Sequence, residues 1–145
     1  MKDSEAQRRL LHYGRDITLE DVTRLEAFLK GRTARLAQAE RGTDERQMAR
    51  AIRTTLHHLV ATLQHSLSFS NVGNEAQPLA RLRVHMSWNA LWALVSSWQW
   101  HEEYDQERWR SVKYWDEGQK EEFENRLADE FSKIRRQGAS EGDGQ

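Results

Sequence analysis

The sequence predicts an all-α domain, a bundle of five or six helices with two uncharged helices at its centre. Three observations lead there. No segment sustains the two-residue alternation of a half-buried strand, and apolar residues recur instead at steps of three and four. With eight Gly and one Pro in 145 residues, the chain is too poor in turn formers for an all-β protein. Cap residues also stand where the periodic segments begin and end. At this length one domain is expected, folding over 1–137, with a disordered tail over 138–145. A domain of this size buries roughly 70% of its unfolded-chain surface, so it needs no staple.

The elements follow in order. A short first helix is expected over Ser4–Tyr13, stopped by Gly14. Thr18 is placed as the N-cap of the next helix, with Asp21 three residues on and Ile17 and Val22 spaced as a hydrophobic staple. Val22, Leu25, Leu29 and Leu36 then share a face, and Gly42 ends the run. A third helix starts at Thr43 or Asp44 and carries Met48, Ile52, Leu56, Leu59, Leu63 and Leu67 to about Phe69. Ser70–Gln77 is a loop, and Pro78 suits the first turn of a long fourth helix reaching Tyr104. That helix has two apolar sides, one with Leu79, Leu82, Met86, Ala90 and Ala93, the other with Trp88, Leu91, Val95 and Trp98. A fifth segment holds Trp109, Val112 and Trp115. After a break at Asp116–Gly118, a last helix carries Phe123, Leu127, Phe131 and Ile134 and stops at Gly138. The third and fourth helices contain the stretches free of Asp, Glu, Lys and Arg, which is why they are expected at the centre.

Composition narrows the chemistry. The absence of Cys excludes a disulfide scaffold, a Cys-ligated zinc site and thiol catalysis. The N-terminal residues MKDSEAQRRLLHYG are charged and lack the apolar core of a signal peptide. The uncharged stretches Thr54–Asn74 and Val84–Trp100 carry His, amides and hydroxyls that insert poorly into lipid. A cytoplasmic protein without a membrane partner is the expectation. There is no P-loop, GxGxxG or GxSxG, so nucleotide, dinucleotide and serine-hydrolase chemistry have no motif.

Four of the six His, namely His57, His58, His65 and His85, fall in the two central helices. In outline this resembles the His-bearing four-helix bundles of the DinB-like metalloenzymes, which implies a metal-dependent enzyme. Two ligands on one helix share an ion when they stand about four residues apart, and the chain contains neither HxxxH nor ExxH. A metal site therefore has to be assembled from several helices, and His65, His85, His101 and Asp105 are its candidates. Arg53 and His58 stand in an Arg-x4-His spacing that resembles one element of the HEPN-type ribonucleases, with Thr54 where that pattern favours Asn or His. In the acidic last helix, Glu122–Arg126 and Asp129–Lys133 read as i,i+4 pairs on a solvated face.

The formal net charge is −1, yet its distribution is uneven, and 17 of the 22 basic residues are Arg. From Arg24 to Arg53 eight basic residues face four acidic ones, whereas from His101 to Glu117 six acidic residues face three basic ones. Arg46, Arg50 and Arg53 step by four and three and so line one side of the third helix. With Arg32 and Arg35 they are the candidate contacts to a nucleic-acid backbone or an acidic protein surface, since guanidinium groups neutralise phosphates without reading bases. Six Trp are many for this length, and Trp88, Trp92, Trp98, Trp100 and Trp109 are the candidate protein-interface residues.

The sequence therefore points to a non-catalytic helical interaction module without a cofactor, a small subunit or accessory protein of a larger assembly. It would contact protein, or a second copy of itself, and a nucleic-acid backbone. Small helical subunits of CRISPR-type ribonucleoprotein effectors are similar in kind. The alternative is the DinB-like metal-dependent enzyme with the four ligands named above.

Overall fold

The computed structural model describes residues 9–71 and 77–142, with side chains through residue 138. It is all-helical, with α1 over Leu19–Ala37, α2 over Asp44–Phe69, α3 over Gln77–Val95 and α4 over Glu117–Gly142. Short 3-10 turns occupy Gly14–Asp16 and Ser96–Trp98. Among the described residues there is no strand, only a parallel bridge between Tyr13 and Tyr114. The chain divides into two compact units after Trp115, the first holding α1 to α3 and the second α4. A single domain over 1–137 was expected from length, which does not register a division of this kind.

Four α-helices stand among the described residues where five or six were expected. Half of the expected Ser4–Tyr13 helix lies outside the described residues, and Arg9–Tyr13 is not helical. Its main chain is taken up by a distant segment instead. Leu11 N–H donates to the Glu107 carbonyl at 2.9 Å, Gly14 N–H to Tyr114 at 2.6 Å, and Arg15 N–H to Trp115 at 3.1 Å. Gly14 suits this approach, because a Cβ there would come within 3.4 Å of the Trp115 ring. The expected fifth helical segment is likewise irregular over 99–115, a strap whose Trp109, Val112 and Trp115 are nevertheless buried.

Helix α1 starts as its sequence dictates. Thr18 Oγ1 accepts from Asp21 N–H at 3.1 Å while Asp21 Oδ2 accepts from Thr18 N–H at 2.9 Å, a complete capping box. An N-cap bond of this type contributes about 1 kcal/mol. The helix ends at Ala37, short of Gly42, which takes a φ of +85° in the turn that leads to the Thr43 N-cap of α2. Leu36, at the unpacked end of α1, is exposed.

Helix α2 packs against both α1 and α3. Val22, Leu25, Phe28 and Leu29 of α1, Leu56, Val60 and Leu63 of α2, and Val84, Trp88, Leu91 and Val95 of α3 form the core. Full burial of such side chains contributes about 1.5–3 kcal/mol each before entropy is subtracted. The strap closes this core through side-chain bonds from α3. Trp88 Nε1 donates to the Arg110 carbonyl at 2.7 Å, and Asn89 both donates to the Val112 carbonyl and accepts from Val112 N–H at 2.8 Å.

Helices α2 and α3, expected as the uncharged centre, pack on each other, but neither is surrounded, and they carry Arg46, Arg50 and Arg53 on α2 and Arg81 and Arg83 on α3. On α3 the Trp88–Leu91–Val95 side faces inward, while Leu79, Leu82 and Met86 are 49%, 52% and 63% exposed. Helix α3 also stops at Val95 rather than running to Tyr104. On α2, Met48, His57, His58 and His65 are exposed. The buried stripe of α2 is centred on Ala49, Leu56, Val60 and Leu63, so Met48 falls just outside it.

In the second unit, the Asp116 carboxylate accepts Gln119 N–H at 2.8 Å at the start of α4. The helix continues past the expected stop at Gly138 to Gly142. Glu122 and Arg126 pair at 2.8 Å, as their spacing predicts. The stripe of Phe123, Leu127, Phe131 and Ile134 is exposed.

Candidate nucleic-acid interface

The basic residues of α2 lie beside its buried stripe. Arg46, Arg50, Arg53 and His57 step by four, three and four, so the row that Arg46, Arg50 and Arg53 define runs on to His57. Arg50, Arg53, Thr54 and His57 line a shallow cleft with Ala37 at the end of α1. Two guanidinium groups, an imidazole and a hydroxyl are thus offered to one volume, a donor set suited to a phosphate or carboxylate.

The row is held in place by α1. Arg53 Nη1 donates to the Lys30 carbonyl at 3.0 Å and to Thr33 Oγ1 at 3.3 Å. Arg46 Nη1 donates to the Ala39 carbonyl at 3.0 Å, just beyond the α1 C-terminus, where carbonyl groups present partial negative charge. These bonds orient the two guanidinium groups without neutralising them. Among the described residues, none of Arg46, Arg50 and Arg53 has a carboxylate partner. Other basic residues do: Arg24 pairs with Asp105 at 2.8 Å, Lys30 with Glu26 at 3.3 Å and Arg108 with Asp21 at 2.7 Å.

The other expected contacts of this group stand elsewhere. Arg32 Nη1 lies 2.7 Å from His101 Nε2 and its guanidinium rests over the Phe28 ring, so it belongs to the strap side of α1. Arg35 is exposed and lies two positions from Ala37, about 160° round the helix from the cleft. His57 is the residue that sequence reasoning missed. The signal was the same four-three spacing continued by one step, obscured because an imidazole was weighed as a metal ligand.

The expected protein-interface Trp residues separate by burial. Trp88 and Trp109 are in the core of the first unit and are not surface residues, because the strap covers Trp88 and turns Trp109 inward onto Phe28. Trp98 is half-buried against the same core, and Trp92 is half-buried beside Tyr104, Trp109 and Arg110. Trp100 alone of the five is largely open, at 78% exposure.

The expected metal ligands do not converge. Among the described residues, no three His, Asp or Glu side chains are grouped as a metal site. His101 faces Arg32, Asp105 pairs with Arg24 and accepts the N–H groups of Glu107 and Arg108, and His65 stacks edge-on with Phe69. Burial lowers the pKa of His85 below its usual 6.5, which holds the ring neutral on α3. The Arg-x4-His pair is not joined in a cleft either: Arg53 lines the cleft with His57, not with His58.

Among the described residues, no helix is long and apolar enough to cross a membrane. Comparison of the chain with family models, curated proteins and solved structures finds no match.

Proposed function

We propose that the first unit is a non-catalytic interaction module of a larger cytoplasmic assembly, and that it lays the α2 row of Arg46, Arg50, Arg53 and His57 along the phosphate backbone of a nucleic acid. One observation carries this reading. The cations of that row have no carboxylate partner among the described residues, whereas Arg24, Lys30 and Arg108 each have one. Aligned, unneutralised guanidinium groups on a rigid helix lose little rotamer freedom on meeting phosphates, and they read charge rather than sequence. Arg32 and Arg35 take no part, since one faces His101 and the other lies round the far side of α1.

A protein-facing surface accompanies the row. It consists of the exposed side of α3, with Leu79, Leu82 and Met86, and of Trp100. These large apolar groups supply the kind of area that a partner protein within the assembly would cover.

The test uses Arg50→Glu with His57→Glu, because both side chains are exposed and neither bonds α1. Substitution of Arg46 or Arg53 would also remove a bond to the main chain of Ala39 or of Lys30. Fluorescence anisotropy with labelled single-stranded and duplex oligonucleotides should show at least about a tenfold loss of affinity for the double variant at low salt. Equal binding by variant and wild type would refute the reading.

A further inference from the structure

Helices α2 and α3 leave a groove of about 180 Å³ between them, lined by His65, Ser66 and Phe69 of α2 and by Leu79, Ala80 and Arg83 of α3. On each helix these residues stand at i, i+1 and i+4, within about 100° of arc, so the three side chains share one side. Ser66 lies nine positions beyond His57 and about 180° round α2 from it, so the groove is distinct from the basic row.

The groove holds a hydroxyl that the fold does not use. Ser66 is 2% exposed, and its Oγ has no hydrogen-bond partner among the described residues. Hydroxyls elsewhere in the chain bond a carbonyl three or four residues back, Thr33 on Leu29, Ser70 on Leu67 and Ser132 on Ala128. A buried hydroxyl without a partner forfeits its hydration, and a group that enters the groove and accepts from it recovers that loss. The groove also holds an unengaged cation. Arg83 is exposed and pairs with no carboxylate among the described residues. Arg81 of the same helix, by contrast, donates to the Ser70 carbonyl and rests over the Trp115 ring. Phe69, Leu79 and Ala80 supply an apolar lining, with His65 packed edge-on against Phe69 at 4.9 Å between ring centroids.

We infer that this groove binds a small carboxylate with an apolar body, an aryl or branched aliphatic acid. The carboxylate accepts from the Ser66 hydroxyl and from the Arg83 guanidinium, and the body lies against Phe69 and Leu79. One guanidinium matches one negative charge, and a charge-assisted bond is roughly twice as strong as a neutral one, so the acid is preferred to its amide. An apolar cavity of about 150 Å³ takes a benzene ring, so the volume suits one ring or a short branched chain.

The experiment follows the amide NMR signals of the full chain during titration with phenylacetate, benzoate and isovalerate, each compared with its neutral amide. At least one acid should bind saturably and shift the signals of 65–69 and 79–83. The tightest acid should bind at least about tenfold more tightly than its amide, and Arg83→Gln should lose about tenfold in affinity for it. Ser66→Ala should also weaken binding, yet melt no lower than wild type, because no bond within the fold is lost. No saturable binding by any of the three acids, equal binding of acid and amide, or unchanged affinity in either variant would overturn the proposal. So would a Ser66→Ala chain that melts clearly lower, since the hydroxyl would then be bonded within the fold.

Discussion

Arg108 of the strap and Asp21 of α1 form a buried two-pronged ion pair, with Nε donating to Oδ1 at 3.0 Å and Nη2 to Oδ2 at 2.7 Å. Both residues are only 4% exposed. Two further donors of Arg108 are used, Nη1 on the Arg9 carbonyl at 2.8 Å and Nη2 on the Asp16 carbonyl at 2.7 Å. Asp21 meanwhile completes the α1 capping box. One guanidinium thus ties together the N-terminal segment, the start of α1 and the strap. The hydrogen bond to Asp21 raises the Arg108 pKa above its usual value, so the guanidinium stays charged.

Removing one member of this pair leaves the other as an uncompensated buried charge. Arg108→Met should cost about 3–5 kcal/mol in urea unfolding. Adding Asp21→Asn should recover part of that loss, since the amide oxygen still caps Thr18 N–H while the stranded charge disappears. A cost under about 1 kcal/mol for Arg108→Met would mean that the strap is not fastened this way.

His85 gives the first unit an acid sensitivity. Its folded pKa lies below the usual 6.5 because burial disfavours the imidazolium, so the unfolded chain binds the proton more readily. The contribution is intact above about pH 6.5 and is lost as pH falls from there through the depressed folded value. Stability measured from about pH 7 down to about pH 5 should therefore fall less steeply for His85→Gln than for wild type. Parallel curves would contradict the assignment.

The two sides of α3 should respond differently to truncation. Leu91 is fully buried, so Leu91→Ala should cost about 2–5 kcal/mol. Leu82 is 52% exposed, so Leu82→Ala should stay within about 0.5 kcal/mol. Equal costs would place both sides in the core.

Much of this fold was legible in the sequence where the signal was local. Thr18 with Asp21, and Thr43 before the α2 stripe, mark helix starts whose caps the structure contains. The signals failed where partners are distant. Trp109, Val112 and Trp115 have helix-like spacing, yet Trp88 and Asn89 bond the main chain of that segment and hold it irregular. Arg9–Tyr13 similarly engages 107–115, a pairing that no local pattern encodes. On α3 both sides are apolar, so periodicity alone could not select the Trp88 side over the Leu82 side.

The candidate site was legible in the same uneven way. Helical spacing put Arg46, Arg50 and Arg53 on one side of α2 correctly. It could not reveal that Arg46 reaches the Ala39 carbonyl and Arg53 the Lys30 carbonyl, or that Arg32 meets His101, since those directions depend on tertiary neighbours. Grouping Arg32 and Arg35 with the α2 row relied on closeness in sequence, and α1 carries them to other sides.

The salt dependence of oligonucleotide binding tests the proposed phosphate contact of the α2 row most directly. Three guanidinium groups on phosphates should give a slope of log affinity against log salt of roughly −2 to −3, and Arg50→Gln should make it shallower by about one. Binding that does not vary with salt, or a slope left unchanged by Arg50→Gln, would contradict the account.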